Sequence, residues 1–377
     1  DDFISKLFCI ETEVQALSAH HHELAPLYFC KRQFVLRKAM NKVSDEDISK
    51  IDGFKLEKQL EIEFKEPFSE LVFATKVIEW LKDEEKNEEL LKAALFYAAW
   101  ALKTAEGKIR SQEGVLFKGH PKLDYLRLVP SVIDTTEGYV SHRLDHLRRR
   151  EGFSLTDQGT DLVGALDEAN YCIWCHEQGK DSCSKGLKVK PKLPDEPKSF
   201  KKSQFGVLLA GCPLEERISE FHKLKTEGVA IGSLAMIVLD NPMCAGTGHR
   251  ICNDCMKSCI YQKQEPVNIP EAETRSLKDI LELPWGFEIY SLLTRWNPLD
   301  LNRPVPKAPS GHKVLVVGMG PAGYTLAHHL MNDGHAVVGI DGLKIESLSS
   351  DISGTKEGGH VAFRAIRDAK ELDEDLN

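Results

Sequence analysis

Ten cysteines occur in the chain, and eight of them fall between Cys172 and Cys259. They form two groups. The first is Cys172-x2-Cys175-x7-Cys183, followed later by Cys212-Pro213; the second is Cys252-x2-Cys255-x3-Cys259, with Cys244 just upstream. A C-x2-C turn lets two thiolates converge on one metal centre while backbone amides point at the sulfurs. A cubane iron–sulfur cluster needs four such ligands, usually thiolates. Cys212-Pro213 has the form of the ferredoxin cysteine that serves a neighbouring cluster, so two interleaved clusters fit the spacing. Zinc is the rival chemistry: Cys172/Cys175 and Cys252/Cys255 make one structural site, with His176 or His249 as further donors. That reading leaves Cys183, Cys212 and Cys259 unused, and the 76 residues between the pairs exceed ordinary ribbon spacing. The third reading is idle thiols. Cys9 and Cys30 lack ligand-type neighbours and read as core or idle thiols.

A second chemical signal lies near the end of the sequence. His312-Lys313-Val314-Leu315-Val316-Val317 reads as a buried strand and runs straight into Gly318-Met319-Gly320-Pro321-Ala322-Gly323. A helical stretch follows, then a second apolar run, Ala336 to Ile340, ending at Asp341, 23 residues after Gly318. This order is that of a dinucleotide-binding βαβ unit. Gly318 allows the tight turn, Gly320 lets a pyrophosphate approach the backbone, and Gly323 lets helix and strand pack closely. The pyrophosphate sits at the helix N-terminus, and Asp341 takes a ribose hydroxyl. No further strand is legible after Asp341, and residues 347–377 are polar.

The elements that must position these groups read as mainly helical. Val77, Trp80, Leu81 and then Leu90, Leu91, Ala94, Leu95, Ala98, Leu102 recur at helical spacing, with a turn expected at residues 83–87. Leu214, Ile218, Phe221 and Leu224 predict one apolar stripe on a short helix, and residues 285–295 predict another. The three adjacent histidines His20, His21 and His22 cannot share one helix face and read as structural. Residues 141–150, rich in Arg and His, read as a solvated face, and the Lys/Pro-rich residues 184–204 as an exposed loop. The four prolines between Asn297 and Gly311 read as a linker.

The 377 residues suggest two to three domains at about 150 residues each. Composition is ordinary for a globular chain: 42% hydrophobic and 28% charged. A formal net charge of −9 argues against a general nucleic-acid binder. No apolar window is long enough for a membrane span. Cysteine is too sparse for a disulfide framework, so reduced thiols and a cytoplasmic location are expected. The sequence opens on Asp1 without a signal-peptide pattern and stops soon after a new domain opens, so it reads as cut at both ends.

Several motifs occur together and in order: Gly211-Cys212-Pro213-Leu214, Asp240-Asn241-Pro242, Thr247-Gly248-His249-Arg250-Ile251-Cys252-x2-Cys255-x3-Cys259, Pro266-Val267-Asn268-Ile269 and the glycine-rich turn. This combination resembles the FAD-dependent pyridine nucleotide oxidoreductases typified by the small subunit of NADPH-dependent glutamate synthase. It is similar also to the N-terminal part of dihydropyrimidine dehydrogenase. The resemblance implies a helical domain with two [4Fe-4S] clusters, followed by FAD- and NAD(P)H-binding domains. Electrons there pass from NAD(P)H through FAD and the clusters to an acceptor in a downstream domain or subunit. It implies Cys172, Cys175, Cys183 and Cys259 as ligands of one cluster. It implies Cys212, Cys252, Cys255 and Glu273 for the other, with Cys244 a rival for the last place. The resulting expectation is a helical region of unassigned role at 1–165, a double-cluster domain at 166–297, a Pro-rich linker at 298–310 and a truncated FAD-binding Rossmann-like unit at 311–377. The competing expectations are a zinc-stabilised helical scaffold with a degenerate nucleotide fold, and an electron-transfer module without flavin.

Overall fold

The computed structural model describes residues 1–129, 131–136, 138–144, 152, 157–190, 199–248, 251–302, 305–342, 355–356 and 359–360. Its contacts divide the chain into two compact units, Asp1–Tyr290 and Ser291–Asn377. The protein is mainly helical.

After a short helix at Asp2–Phe8, the first unit continues with α1 (Glu11–Cys30), which runs on as a π-helical stretch to Ala39. Then come α2 (Gly53–Phe64), α3 (Glu70–Trp80) and α4 (Glu88–Lys103). Asp52 and Ser69 cap α2 and α3 by accepting the Lys55 and Val72 amides, which satisfies first-turn donors. The apolar faces of these helices meet in an aromatic core. Tyr97 lies 5.0 Å from Phe68, 5.6 Å from Trp100 and 5.4 Å from Phe117. The expected turn between α3 and α4 is present as a short 3-10 segment, Leu81–Asp83, ahead of Glu88. Two short antiparallel strands, β1 (Ser131–Asp134) and β2 (Ser141–Leu144), interrupt the stretch expected to be all helical. Residues 145–150 of the Arg/His-rich segment lie outside the described residues. Among the three histidines, only His21 is buried, which agrees with a structural role.

The cysteine-bearing half of this unit contains α5 (Leu162–Tyr171), α6 (Ile218–Thr226), α7 (Ala230–Asp240), the short α8 (Asp254–Ser258) and α9 (Ile269–Leu281). Helix α5 packs on α9 and α6, and α7 packs on α6 and α9. Two buried ion pairs tie this half together and to the N-terminal helices. Lys225 on α6 meets Asp279 on α9 at 2.6 Å, and Lys31 meets Asp167 on α5 at 2.6 Å. The predicted stripe is only partly realised. Ile218 and Phe221 are buried, but Leu214 lies ahead of the helix and is exposed. Glu215 takes a left-handed φ of 51°, which turns the chain before α6 can begin. The described lysines of the Lys/Pro-rich stretch are exposed, and bridges pair Lys188 with Phe200 and Lys202 with Leu208. Residues 191–198 lie outside the described residues. Helix α10 (Gly286–Arg295) forms where expected.

The second unit contains β3 (Lys313–Val317), α11 (Pro321–Asn332) and β4 (Ala336–Ile340). β3 and β4 are parallel neighbours in register from Lys313↔Ala336 to Val317↔Ile340, and α11 is their crossover. Part of the expected linker belongs to this unit, since the Lys307 and Ser310 amides donate to Asn332 and Gly334. Residues 343–354 and 361–377 lie outside the description.

Candidate functional site

Four thiols that are up to 87 residues apart in sequence, Cys172, Cys175, Cys183 and Cys259, line one small cavity of about 20 Å3. Their positioning follows from local backbone geometry. Cys172 ends α5, and Trp174 takes a left-handed φ of 48°, which reverses the chain so that Cys175 faces the same space. Gly211 carries the next segment against the Cys183 turn. Its φ is +89°, and a Cβ there would lie 2.4 Å from the Ser184 carbonyl oxygen, so only glycine fits. The Gly211 amide donates to Ser258 Oγ, next to Cys259, and the Cys212 amide donates to the Cys183 carbonyl. One glycine therefore holds three cysteine segments in a fixed relation.

Backbone amides point at two of the sulfurs. The Trp174 amide approaches Cys172 Sγ at 3.4 Å, and the Tyr261 and Val267 amides face Cys259. Burial pushes the Cys172 thiol up to about 12 and raises Cys259 as well. Cys175 and Cys183 hydrogen-bond to one another. That bond draws Cys175 down to about 7 and, with burial, makes Cys183 hold its proton more tightly. Two further groups line the cavity without a hydrogen-bond partner, Ser182 Oγ and the imidazole of His222.

A second group gathers beside the first. Cys212, Cys255 and the carboxylates of Glu216 and Glu273 lie within electrostatic reach of one another. Cys244 is buried beside both carboxylates. Burial pushes Cys212 up to about 11, opposed by the Glu216 and Leu214 amides aimed at its sulfur. Burial raises Glu273 to about 7, and Asn241 Nδ2 donates to its Oε1 at 2.8 Å. Glu216 is raised further by burial and by the Glu273 charge, and its Oε1 has no hydrogen-bond partner. Cys252 stands apart from this group in solvent, where the Asp254 amide donates to its sulfur at 3.5 Å. His176 is engaged by Ser219 Oγ at 2.6 Å, and His249 lies outside the described residues.

Among the described residues, no three His, Cys, Asp or Glu side chains converge tightly enough to hold a single metal ion. A tetrahedral zinc site gathers its donors around one atom. A cubane instead takes each thiolate at a different iron corner, so its ligands stand farther apart around a shared space. Four thiols line one pocket, and backbone amides face the sulfurs of Cys172 and Cys259; four thiolates are the donor set a cubane takes, although Cys175 and Cys183 stand within hydrogen-bond contact of each other. Sequence reasoning missed Glu216 and His222. Glu216 follows Cys212 by four residues, and His222 follows Ile218 by four on the buried face of α6, a polar side chain on an apolar stripe.

Gly318 has a φ of +93°. A Cβ on Gly323 would meet the Gly318 carbonyl oxygen at 1.8 Å, so helix and turn approach closely there. Around Gly320, nothing lies within 4 Å of where a Cβ would stand, so the N-terminus of α11 is open at that point. Pro321 and Ala322 form the first helical turn. Asp341 Oδ2 accepts the Met319 amide at 2.6 Å, so the acid braces the loop.

A mainly helical protein with two neighbouring thiol-rich groups and a parallel βαβ unit is thus defined. The chain belongs to the family of the uncharacterized protein RP005 of Rickettsia prowazekii (strain Madrid E). It is 31% identical to RP005 over 235 residues, which are 60% of this chain and 77% of that protein. The uncharacterized protein RP006 of the same organism is 59% identical over 110 residues, 29% of this chain, so the match spans only 16% of RP006. No family model matches the chain. No helix among the described residues is long and apolar enough to cross a membrane.

Proposed function

We propose that the chain is part of an FAD- and iron–sulfur-dependent NAD(P)H oxidoreductase of the cytoplasm, delivering electrons to an acceptor domain or subunit. The lining of one cavity by Cys172, Cys175, Cys183 and Cys259 is the observation that carries this reading. These four thiols are the ligands of one [4Fe-4S] cluster. Cys212 and Cys255 anchor a second, with Glu273 as its oxygen ligand and one further thiolate from Cys252 or Cys244. The clusters supply one-electron transfer, and FAD, when bound, links this to two-electron hydride chemistry. The protein's part is to exclude water, aim amide hydrogens at the sulfurs and keep like charges apart until metal compensates them. Gly318, Gly320 and Gly323 give the turn that receives the FAD pyrophosphate at α11, and Asp341 stands at the ribose position. NAD(P)H binds outside the described residues.

Anaerobic reconstitution with iron and sulfide tests the reading. The expected product holds about eight iron atoms per chain, with a broad band near ~400 nm that dithionite bleaches. Cys259→Ser removes about four of those atoms, since one cubane loses a ligand, whereas Cys30→Ser in the N-terminal core removes none. Colourless protein with about one zinc per chain sinks the proposal in favour of a zinc-stabilised scaffold.

A further inference from the structure

His222 is the one imidazole in the wall of the first thiol cavity, and it has no exposed surface. Neither of its ring nitrogens has a hydrogen-bond partner. Its neighbours in the cavity wall include the apolar Ile218, Val267 and Ile269, and its ring packs edge-on against Phe221 at 4.4 Å. Burial lowers its pKa to about 3, so the ring is neutral and carries one N–H. A buried N–H without a partner forfeits its hydration with nothing in return. Folded proteins leave few such groups, and each calls for a missing partner. Besides the Ser182 and Tyr261 hydroxyls, the side-chain acceptors in this wall are the four sulfurs.

We propose that His222 donates a hydrogen bond to a sulfur of the cluster held by Cys172, Cys175, Cys183 and Cys259, and so raises that cluster's reduction potential. The inference rests on the iron–sulfur reading of this cavity and deepens it. Four thiolates already supply one ligand for each iron corner, which leaves the imidazole as a donor to sulfur rather than a ligand to iron. A reduced cluster is one charge more negative than the oxidised one. A donor to its sulfur therefore stabilises the reduced form more, and the potential rises. His222 is a positioning and tuning residue on this account; it moves no proton and takes no electron itself.

The test compares wild type, His222→Leu and His222→Asn after anaerobic reconstitution. Iron content reports loading, circular dichroism reports folding, and dye-mediated titration of the reduced-cluster paramagnetic signals reports the two potentials. The expected result is unchanged iron in both variants. In His222→Leu one of the two potentials moves to a more negative value, and an exchangeable proton coupling is lost from the same signal. His222→Asn, which keeps an N–H, recovers part of the shift, while the second cluster's potential stays put. Full loading with an unmoved potential in His222→Leu overturns the proposal. So does loss of about four irons from both folded variants, which would make His222 a ligand. Loss of the fold in both variants also overturns it, because a donor to the cluster is not needed by the chain without one. Wild type that takes up no iron defeats the cluster reading itself, and this inference with it.

Discussion

Glu168 is a carboxylate whose surroundings work against its charge. It lies on α5, and burial pushes it up to about 7, although the Asn268 amide donates to its Oε2 at 2.8 Å. In an unfolded chain a glutamate titrates near ~4.3. Between those two values the folded protein keeps a proton that the unfolded chain has released. Stability therefore falls as pH rises through that window and levels off above the folded value. Glu168→Gln removes this dependence. Urea denaturation should find the variant equal to wild type near pH ~4 and more stable near pH ~8, and a variant with the wild-type slope contradicts the assignment. Residue by residue, the sequence is legible where chemistry imposes spacing. The C-x2-C turns name Cys172 and Cys175, and G-x-G-x-x-G names Gly318, Gly320 and Gly323. Glu216 and His222 escape because no fixed spacing ties them to the thiols. His222 reaches the thiols through the packing of α6 and Glu216 through the turn ahead of it, and a single polar residue on an apolar stripe looks the same whether it faces a cavity or a neighbouring helix.

Among the elements, α6 and α9 are joined by a buried charge cluster in which Asp279 bonds both Lys225 and Arg275, each at 2.6 Å. Lys225 and Asp279 are each 1% exposed in their side chains, so neither can turn to water when the other is lost. Asp279→Ala is expected to destabilise the protein by about 3–5 kcal/mol, read from the urea midpoint, because it strands a buried cation. Lys225→Met combined with Asp279→Leu should cost less than the single change, since replacing a buried pair with apolar groups removes the desolvation penalty as well. Equal losses would mean that the pair is not the origin of the effect. In the βαβ unit the glycines divide by role. Gly323→Ala drives a Cβ into the Gly318 carbonyl and should disturb the turn. Gly320→Val meets nothing of the protein within 4 Å at its Cβ, so it should leave the fold intact while abolishing flavin retention in a form that binds FAD. Flavin retained by folded Gly320→Val refutes the pyrophosphate role. At this scale helical periodicity carried α3, α4 and α10, while strand–turn–helix order carried β3, α11 and β4. The β1–β2 pair was not legible, because its exposed residues give no alternation of apolar and polar faces. The stripe through Leu214 failed because periodicity is blind to a left-handed residue such as Glu215.

For the whole molecule, the division between Tyr290 and Ser291 separates the thiol groups from the glycine turn. Composition gave a prior of more than one unit, but not this boundary, because the helices before and after residue 165 share a core that only packing reveals. Leu166 on α5 belongs to the same hydrophobic cluster as Phe73 and Tyr97. Lys31 and Asp167 add a buried pair across the same join. Cluster ligands bound only in the folded state convert binding free energy into folding free energy. Two compact units also make unfolding multi-step rather than all-or-none. Scanning calorimetry of the reconstituted protein is therefore expected to resolve two transitions. With the thiol groups holding the proposed clusters, their oxidative removal with a chelator should lower the transition of residues 1–290 and leave the other in place, because no thiol of either group lies beyond Cys259. The N-terminal aromatic core should melt with the thiol groups, since Leu166 and the Lys31–Asp167 pair bind them into one cooperative body. A shift of both transitions by the same amount would show that the metal sites are not confined to the first unit. An N-terminal core that melts separately and ignores the clusters would show that residue 165 is a true boundary after all.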